Sequence, residues 1–422
     1  MTAALARWYT RQGKRVRVFK TGPDFLDPQI LERASGSPVY SLHLWMVGEE
    51  ACRALLFEAA RQADVILVEG VMGLYDGKPS GADLATVFGI PVLAVIDAQA
   101  MAQTFAAVAF GLARFQSDLP FHGVFANRVN SQGHADLLQE NLPTGIAWAG
   151  HMASSAEITL PSRHLGLTQA DEIEDLDLRL DRAADALGQT PLAVLPPAVS
   201  FFAPDAVLNG LPNSLFPTNA LAGHRIAIAR DAAFAFIYPA NLDLLRSLGA
   251  SVITFSPLAD EPLPENADAV FLPGGYPELH AEQLSRQGIT AASLRRHIDA
   301  GKPVWAECGG MLYLLDALKD AQEKSWPMLG LLPGEAAMQA KLAALGMHKL
   351  DTPLGELRGH TFHYSKMQSP MASCGQTRHA TRHSPGEFIY QHQGVIATYF
   401  HAYWPSNPRA IAALFTGNLF ST

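Results

Sequence analysis

Cysteine is scarce in this sequence. Its 422 residues include three cysteines, Cys52, Cys308 and Cys374, which are far apart. An odd number of widely spaced cysteines does not suggest a disulfide framework, so a reducing cytoplasm is the location that the cysteine usage favours.

Runs of basic charge and long apolar segments are also lacking. The 31 basic and 40 acidic side chains give a formal net charge of -9, and no run of Lys or Arg could follow a nucleic-acid backbone. The N-terminal segment has no apolar core of the kind that a signal peptide needs. The most apolar stretch, residues 89–113, contains polar residues and a proline, which favours a buried strand and helix over a membrane span. We therefore expect neither a nucleic-acid nor a membrane partner.

Short apolar runs alternate with segments of helical period along most of the chain. This alternation predicts an α/β fold in which helices cover both faces of a parallel sheet. It is interrupted over residues 191–222, where six prolines occur without a clear period, and this segment is interpreted as a linker. Because one hydrophobic core rarely exceeds about 250–300 residues, we predict two domains, residues 1–190 and residues 223–422.

A cysteine stands between an apolar strand and a helix in KPVWAECGGMLYLL, residues 302–315. A sharp strand-to-helix turn of this kind exposes a nucleophile, so Cys308 is the candidate. We expect the helix N-terminus to lower the pKa of the thiol, and the adjacent backbone N–H group of Gly309 to receive an oxyanion. The alternative is a buried structural cysteine, which is the commoner state of an isolated cysteine.

A thiol nucleophile needs a base, and His401 follows the apolar strand at residues 395–400. The other histidines are expected mainly in loops. This makes His401 a better candidate than His360, His363 or His392.

Two glycines follow another predicted strand in LPGGYPELH, residues 272–280. The N–H groups of Gly274 and Gly275 can turn toward developing negative charge there. Together with Cys308 and His401, they indicate attack on a carboxamide carbon.

Carboxylates follow two strands of the N-terminal domain. FKTGPDFLDP places Asp24 and Asp27 in one tight loop, which suits Mg²⁺, a polar group of a substrate, or a simple turn with side-chain caps. EGVMGLYDG puts Glu69 at the carboxyl end of a strand, where nucleotide-binding folds hold Mg²⁺, and Asp76 in the following loop. Asn127 ends a further strand, where it could read a base edge or form a turn.

The C-terminal motifs AECGGMLYL, LPGGYPELH and TYFHAYWPSNP resemble the class I glutamine amidotransferase domain of the cobyrinate and cobyrate amidating synthases. The resemblance implies that Cys308 attacks glutamine, that His401 activates it, and that ammonia is released. Class I domains usually carry a Glu two residues after the His, whereas this chain has Tyr403 there. The group that orients His401 is therefore expected to be missing or supplied from elsewhere.

Further motifs along almost the whole chain resemble the cobyrinate a,c-diamide synthase family: FKTGPDFLDP, LWMVGE, EGVMGLYDG, PSRHLGLTQA, RDAAFAFIYPANLDLL and RGHTFHYS. The resemblance implies a P-loop-NTPase-like N-terminal domain, similar to dethiobiotin synthetase. It also implies that ATP activates the a and c carboxylates of a corrin ring as acyl phosphates, which ammonia displaces. By residue, it implies Glu69 for Mg²⁺, Asp24 and Asp27 for metal or substrate, Asp76 for substrate or a phosphorylated intermediate, and Asn127 near adenine. Lys20, at the end of the strand before GPDFLDP, is a further candidate for nucleotide binding.

The sequence departs from this family at three places. His43 stands where an acidic residue is more usual, Ser162 stands where Glu is usual, and no GxxxxGK[ST] motif occurs. By resemblance to the family, we expect a strand and a phosphate-binding loop of about 15–25 residues before the position of Met1. Neither Lys14 nor Lys20 has the glycine-rich cradle that could replace this loop. If the protein begins at Met1, we expect weak ATP binding and an uncovered edge or gap in the N-terminal sheet. If the sequence is a truncated gene product, we expect the upstream codons to restore ATP-dependent diamide formation.

Several alternatives stay open at this point. The substrate could contain cobalt or be metal-free, or it could be another tetrapyrrole. The chain could also be a corrinoid- or glutamine-binding protein that has lost synthetase activity, although Cys308 and His401 argue against complete loss. A homodimer is open as well.

Overall fold

The structure is a computed structural model that describes residues 1–163, 166–204 and 219–420. The chain forms two compact units, Met1–Asn209 and Gly210–Thr422. Among the described residues, no helix is both long enough and apolar enough to cross a membrane.

The first unit alternates helices with short strands. Its helices are α1 (Thr2–Arg11), α2 (Asp27–Ser35), α3 (Glu49–Gln62), α4 (Gly81–Phe88), α5 (Thr104–Arg114), α6 (Gln132–Glu140) and α7 (Leu176–Leu187). Its strands are β1 (Val16–Thr21), β2 (Tyr40–Leu42), β3 (Val65–Glu69), β4 (Val92–Asp97), β5 (Phe121–Asn127), β6 (Ala147–Met152), β7 (Ser162–Arg163) and β8 (Gly166–Leu167).

The strands of this unit form two parallel sheets and one two-stranded ribbon. One sheet has the order β2-β1-β3 and the other the order β4-β5-β6, while β7 and β8 pair with each other. In the described part of the unit, β3 and β4 do not pair, so the parallel strands form two separate three-stranded sheets.

Helix α1 contacts both parallel sheets. Ala6 packs in one apolar cluster with Val16 and Val18 of β1, whereas Ala4 packs in another with Phe125 of β5 and residues of β6. Side chains three or four positions apart lie on one helical face, so residues two apart diverge toward different neighbours. The helix thus links the two sheets through apolar burial.

The second unit contains longer strands. Its helices are α8 (Pro239–Ser247), α9 (Ala281–Leu284), α10 (Gly288–Asp299), α11 (Gly309–Leu314) and α12 (Pro408–Phe415). Its strands are β9 (Arg225–Ala229), β10 (Ser251–Phe255), β11 (Ala269–Leu272), β12 (Val304–Glu307), β13 (Ala317–Lys319), β14 (Ser325–Pro327), β15 (Glu335–Met338), β16 (Ala344–Thr352), β17 (Gly355–His363), β18 (Ser365–Gln368), β19 (Ser373–His379), β20 (Pro385–His392), β21 (Val395–Thr398) and β22 (His401–Ala402).

A ten-stranded sheet organises the second unit, in the order β10-β9-β11-β12-β21-β20-β19-β16-β17-β22. The first five strands are parallel, and the remaining pairs are antiparallel. A second sheet has the order β14-β13-β15-β18. The predicted α/β class with parallel sheets is confirmed, and the antiparallel part was not predicted.

Apolar side chains cover both faces of the parallel strands. Along β11, Ala269 and Phe271 belong to one core cluster, while Val270 and Leu272 belong to another. Successive side chains of a strand point to opposite faces, so this run is buried on both sides. The carboxyl ends of β11, β12 and β21 therefore emerge from a fixed scaffold.

Candidate active site

Cys308 lies in the turn between β12 and α11, as the sequence predicts. Its backbone has φ 43 and ψ -108, a strained conformation for a residue with a Cβ. Its backbone N–H donates to the carbonyl oxygen of Thr398, at 2.7 Å. A Cβ at Gly310 would overlap the carbonyl oxygen of Leu272, so only glycine fits there. These contacts hold the nucleophile elbow in place.

The Cys308 thiol is buried, and this changes its acidity. Burial raises its pKa, the carboxylates of Glu278, Glu387 and Glu307 act in the same direction, and the N–H group of Gly309 opposes them. The expectation that the helix N-terminus lowers the thiol pKa is wrong, because desolvation outweighs the helix end. A base is therefore needed to remove the thiol proton.

His401 begins β22 and is only 1% exposed. Its Nδ1 lies 3.5 Å from Oε2 of Glu307, the residue before Cys308. The imidazole ring of His360 stacks on that of His401, with ring centres 5.0 Å apart and an angle of 19° between the planes. The base candidate is thus held by contacts on its edge and on its face.

Three glycines bring the backbone of two loops against these side chains. A Cβ at Gly274 would overlap Cε1 of His401, and a Cβ at Gly309 would come within 2.9 Å of the backbone nitrogen of Gly275. The structure therefore brings together Cys308, His401 and the three glycines that the sequence singled out. Backbone N–H groups in such a place can stabilise an oxyanion.

Several residues of this site were missed by sequence reasoning. The histidines expected in loops include His360 and His363, but both lie on β17 and are buried. Glu307 and Glu278 were not singled out either. A charged residue ending the apolar run VWAE was the available signal for Glu307.

A charged cluster lies at the carboxyl ends of β1 and β3. Lys20 is 2% exposed, and its ammonium group contacts three carboxylates: Asp24 at 3.2 Å, Glu69 at 2.9 Å, and Asp27. Residues Lys20 and Glu69 are partners in the β1–β3 register. The structure thus joins four of the predicted residues of the N-terminal site.

The cluster carries more negative than positive charge. Burial lowers the pKa of Lys20, but the carboxylates of Glu69, Asp24 and Asp27 outweigh it and raise that pKa well above its usual value. Burial and the neighbouring Asp27 raise the pKa of Asp24 to about 6. Oδ1 of Asp24 also accepts from the N–H groups of Leu26 and Asp27, so the side-chain cap considered for this loop is present.

The other N-terminal candidates lie outside this cluster. Asp76 sits in a tight turn after β3, where its N–H donates to the carbonyl of Gly73 at 2.9 Å. Asn127 ends β5 in the second parallel sheet, opposite Asp97. Within the described ranges, no group of three or more His, Cys, Asp or Glu side chains has the geometry of a metal site.

His43 has a structural role in this fold. Its Nδ1 accepts from the backbone N–H groups of Trp45 at 3.2 Å and Met46 at 3.0 Å, which caps the π-helix Leu44–Gly48. Burial lowers its pKa to about 4, so the ring is neutral near pH 7. The side chain of Ser162 lies outside the described residues.

Both units match known families. Residues 1–167 match the CobQ/CobB/MinD/ParA nucleotide binding domain, and residues 225–408 match the CobB/CobQ-like glutamine amidotransferase domain. The first unit is therefore a nucleotide-binding domain, and the second is a glutamine amidotransferase domain.

Three curated relatives are similar over nearly the whole chain. The hydrogenobyrinate a,c-diamide synthase of Stutzerimonas stutzeri is 58% identical over 98% of this chain and 94% of its own length. The protein of the same name from Pseudomonas aeruginosa is 55% identical over 98% of this chain and 93% of its own length. The cobyrinate a,c-diamide synthase of Herminiimonas arsenicoxydans is 51% identical over 99% of this chain and 93% of its own length. At these identities over both domains, the chain belongs to the hydrogenobyrinate and cobyrinate a,c-diamide synthase family, whose members are glutamine-dependent carbon–nitrogen ligases.

Proposed function

We propose that this chain transfers the amide nitrogen of glutamine to the a and c carboxylates of hydrogenobyrinate or cobyrinate, in cobalamin biosynthesis and at the expense of ATP. The proximity of Cys308, His401 and the backbones of the three glycines supports the proposed hydrolysis of glutamine. The names of the relatives supply the acceptor. The ATP-dependent step is assigned to residues 1–190 and glutamine hydrolysis to residues 223–422, in the cytoplasm.

In the proposed hydrolysis, the Cys308 sulfur attacks the side-chain carboxamide carbon of glutamine while His401 takes the thiol proton. The N–H groups of Gly274, Gly275 and Gly309 stabilise the oxyanion that forms on the carboxamide oxygen. His401 then gives the proton to the leaving nitrogen, which departs as ammonia. Water hydrolyses the remaining thioester and releases glutamate.

The cluster around Lys20 suits the ATP-dependent half. Glu69 would provide a hard oxygen donor of the kind that Mg²⁺ prefers, at the sheet edge where open α/β folds bind ligands, and Asp24 and Asp27 would contact the metal or the substrate. Mg²⁺ held by Glu69 would neutralise phosphate oxygens of ATP. The three carboxylates around Lys20 keep it charged near pH 7, and we propose that Lys20 also contacts the nucleotide.

The remaining N-terminal roles are proposed by resemblance. Asp76 would contact the substrate or its acyl phosphate, and Asn127 would lie near adenine. Each carboxylate takes the γ-phosphoryl group of ATP to give an acyl phosphate and ADP, and attack by ammonia then forms the amide and releases phosphate.

The proposal is tested with protein expressed from its natural gene, which is incubated with ATP, Mg²⁺, glutamine and either hydrogenobyrinate or its cobalt-containing counterpart cobyrinate. We expect diamide in at least one reaction, with ADP and glutamate formed in proportion, and the preferred acid identifies the substrate. Glutamate release without ADP or corrin amide from either acid would contradict the synthetase proposal and favour the non-synthetase alternative.

A further inference from the structure

The structure places a second carboxyl side chain behind the base candidate of the amidotransferase domain. Glu307 ends β12, immediately before Cys308, and is 2% exposed. Its Oε2 lies 3.5 Å from Nδ1 of His401. Catalytic hydrogen bonds are often long before substrate binds, so this spacing suits a contact that tightens during the reaction.

We propose that Glu307 is the positioning residue for His401, taking the place of the carboxylate that class I domains usually carry two residues after the His. This inference rests on the proposed glutamine hydrolysis. Tyr403 occupies the usual position, and its phenol is not a carboxylate. Glu307 reaches His401 from a different strand.

The other oxygen of Glu307 is fixed by two donors. Oε1 accepts from the indole Nε1–H of Trp305 at 2.6 Å and from the backbone N–H of Ala402 at 3.2 Å. Trp305 lies two residues earlier on β12, on the same face of the strand. With Oε1 held in this way, Oε2 is the oxygen left to face His401.

A carboxylate beside Nδ1 controls which ring nitrogen carries the proton. When this contact tightens, Nδ1–H would donate to Oε2, which leaves Nε2 as the basic nitrogen. When His401 takes the thiol proton, the imidazolium ion that forms lies beside the negative charge of Glu307. Because both groups are buried, this attraction is weakly screened by water.

The contacts on the ring preserve this arrangement. Stacking on His360 and the close approach of Gly274 restrict rotation and tilting of the His401 imidazole. Tyr238 in turn contacts Nδ1 of His360 through its hydroxyl group, at 3.1 Å. The carboxylate and the ring are thus fixed independently of glutamine.

Glu307→Gln is the sharpest test, because only one orientation of the Gln side-chain amide satisfies its neighbours. Trp305 and Ala402 both require an acceptor, so the amide oxygen takes the place of Oε1 and the NH₂ group faces His401. That NH₂ group donates to Nδ1 and shifts the ring proton to Nε2, the nitrogen that must be free. We expect kcat for glutamine hydrolysis to fall by about 10³- to 10⁴-fold with little change in KM.

The matched control is Asp320→Asn. Asp320 is another buried carboxylate of this unit, and its Oδ2 accepts from the indole Nε1–H of Trp326 at 2.8 Å, but it is not among the residues described at the Cys308 site. Its loss should change kcat by less than about threefold. Thermal unfolding of both variants checks that the fold is intact.

Nitrogen-15 NMR of the histidine ring supplies a readout that does not depend on activity. We expect the Nδ1–H tautomer of His401 in the unaltered protein and the Nε2–H tautomer in Glu307→Gln. A kcat within about threefold of the unaltered protein, or a lower kcat with an unchanged tautomer, would overturn the inference. Absence of glutamine hydrolysis in the unaltered protein would instead refute the proposed function, while the tautomer would still test the Glu307–His401 contact.

Discussion

Gly274→Ala is expected to disable glutamine hydrolysis by displacing one side chain. The new Cβ would lie less than 3.0 Å from Cε1 of His401 and 3.2 Å from its Nδ1. Non-bonded carbon atoms normally stay about 3.5–4.0 Å apart, so the ring must retreat by roughly 1 Å. Gly274 does not have a positive φ, so alanine is compatible with the backbone.

Two magnitudes follow from this overlap. Overpacking of a filled core costs about 1–3 kcal/mol, which lowers the melting temperature of a unit of this size by roughly 2–12 °C. A misplacement of about 1 Å in a catalytic group costs around 100-fold in rate. Alanine keeps the backbone N–H group of residue 274, so the loss in rate is attributed to His401 rather than to the oxyanion donors.

The assay is glutamate release from glutamine, measured beside thermal unfolding. Gly375→Ala is the matched control, since its Cβ would meet Ile389 at an ordinary 3.7 Å. We expect the control to keep both rate and melting temperature. A Gly274→Ala variant that hydrolyses glutamine at the normal rate would refute the assignment of His401 as the base.

The remaining predictions concern the thiol and the two groups of buried charge. Cys308→Ala should reduce glutamate release to background while amidation with ammonium continues; release at the normal rate would exclude Cys308 as the nucleophile. Burial raises the pKa of Glu278 to about 7, and the Glu278 carboxylate in turn raises the pKa of Cys308. Glu278→Gln should therefore speed the alkylation of Cys308 by iodoacetamide above pH 7. The alkylation is followed by mass spectrometry of the peptide that contains Cys308. An unchanged alkylation rate would contradict this. Lys20→Met should destabilise the first unit by about 3–5 kcal/mol, because three carboxylates lose their cation. The pKa of Asp24 is about 6 in the folded protein, so Asp24 binds a proton more tightly in the folded state than in the unfolded state. The loss of stability caused by Lys20→Met should therefore become smaller as the pH falls through 6. Equal losses of unfolding free energy, measured in urea at pH 5 and pH 8, would refute this.

Local features of both sites could be predicted from the sequence. The elbow at Cys308 is contained in one strand, a glycine pair and one helix, so its pattern is visible in a few neighbouring residues. Asp24 and Asp27 likewise lie within 7 residues of Lys20, between the end of β1 and the start of α2. Short separations of this kind require no knowledge of how distant strands pair.

Contacts between distant strands could not be predicted in the same way. Glu307 meets the backbone of Ala402 across 95 residues, and this requires β12 to lie beside β21 with Glu307 opposite Thr398. Nothing in the spacing of the sequence fixes that register. The predicted direction of the Cys308 pKa shift was wrong for a related reason. The burial that raises this pKa comes from packing of the whole unit, which the residues next to the helix end do not reveal.

The antiparallel strands were missed because their residues are only half buried. In β16 and β17, polar residues alternate with apolar ones, and several histidines face the interior. Such a pattern gives a weaker signal than the continuous apolar runs of the parallel strands. His348 and His360 were therefore not recognised as buried.

The central claim is that glutamine hydrolysed at Cys308 supplies the nitrogen for corrin amides. Its most direct test uses protein that is expressed from its natural gene. The protein is incubated with ATP, Mg²⁺, a corrin acid and glutamine labelled with ¹⁵N at the amide, and the product is measured by mass spectrometry. We predict a diamide in which both new nitrogens are labelled, and with Cys308→Ala a labelled product only when ¹⁵N-ammonium replaces glutamine. A product formed from ammonium but never from glutamine by the unaltered protein would contradict the account.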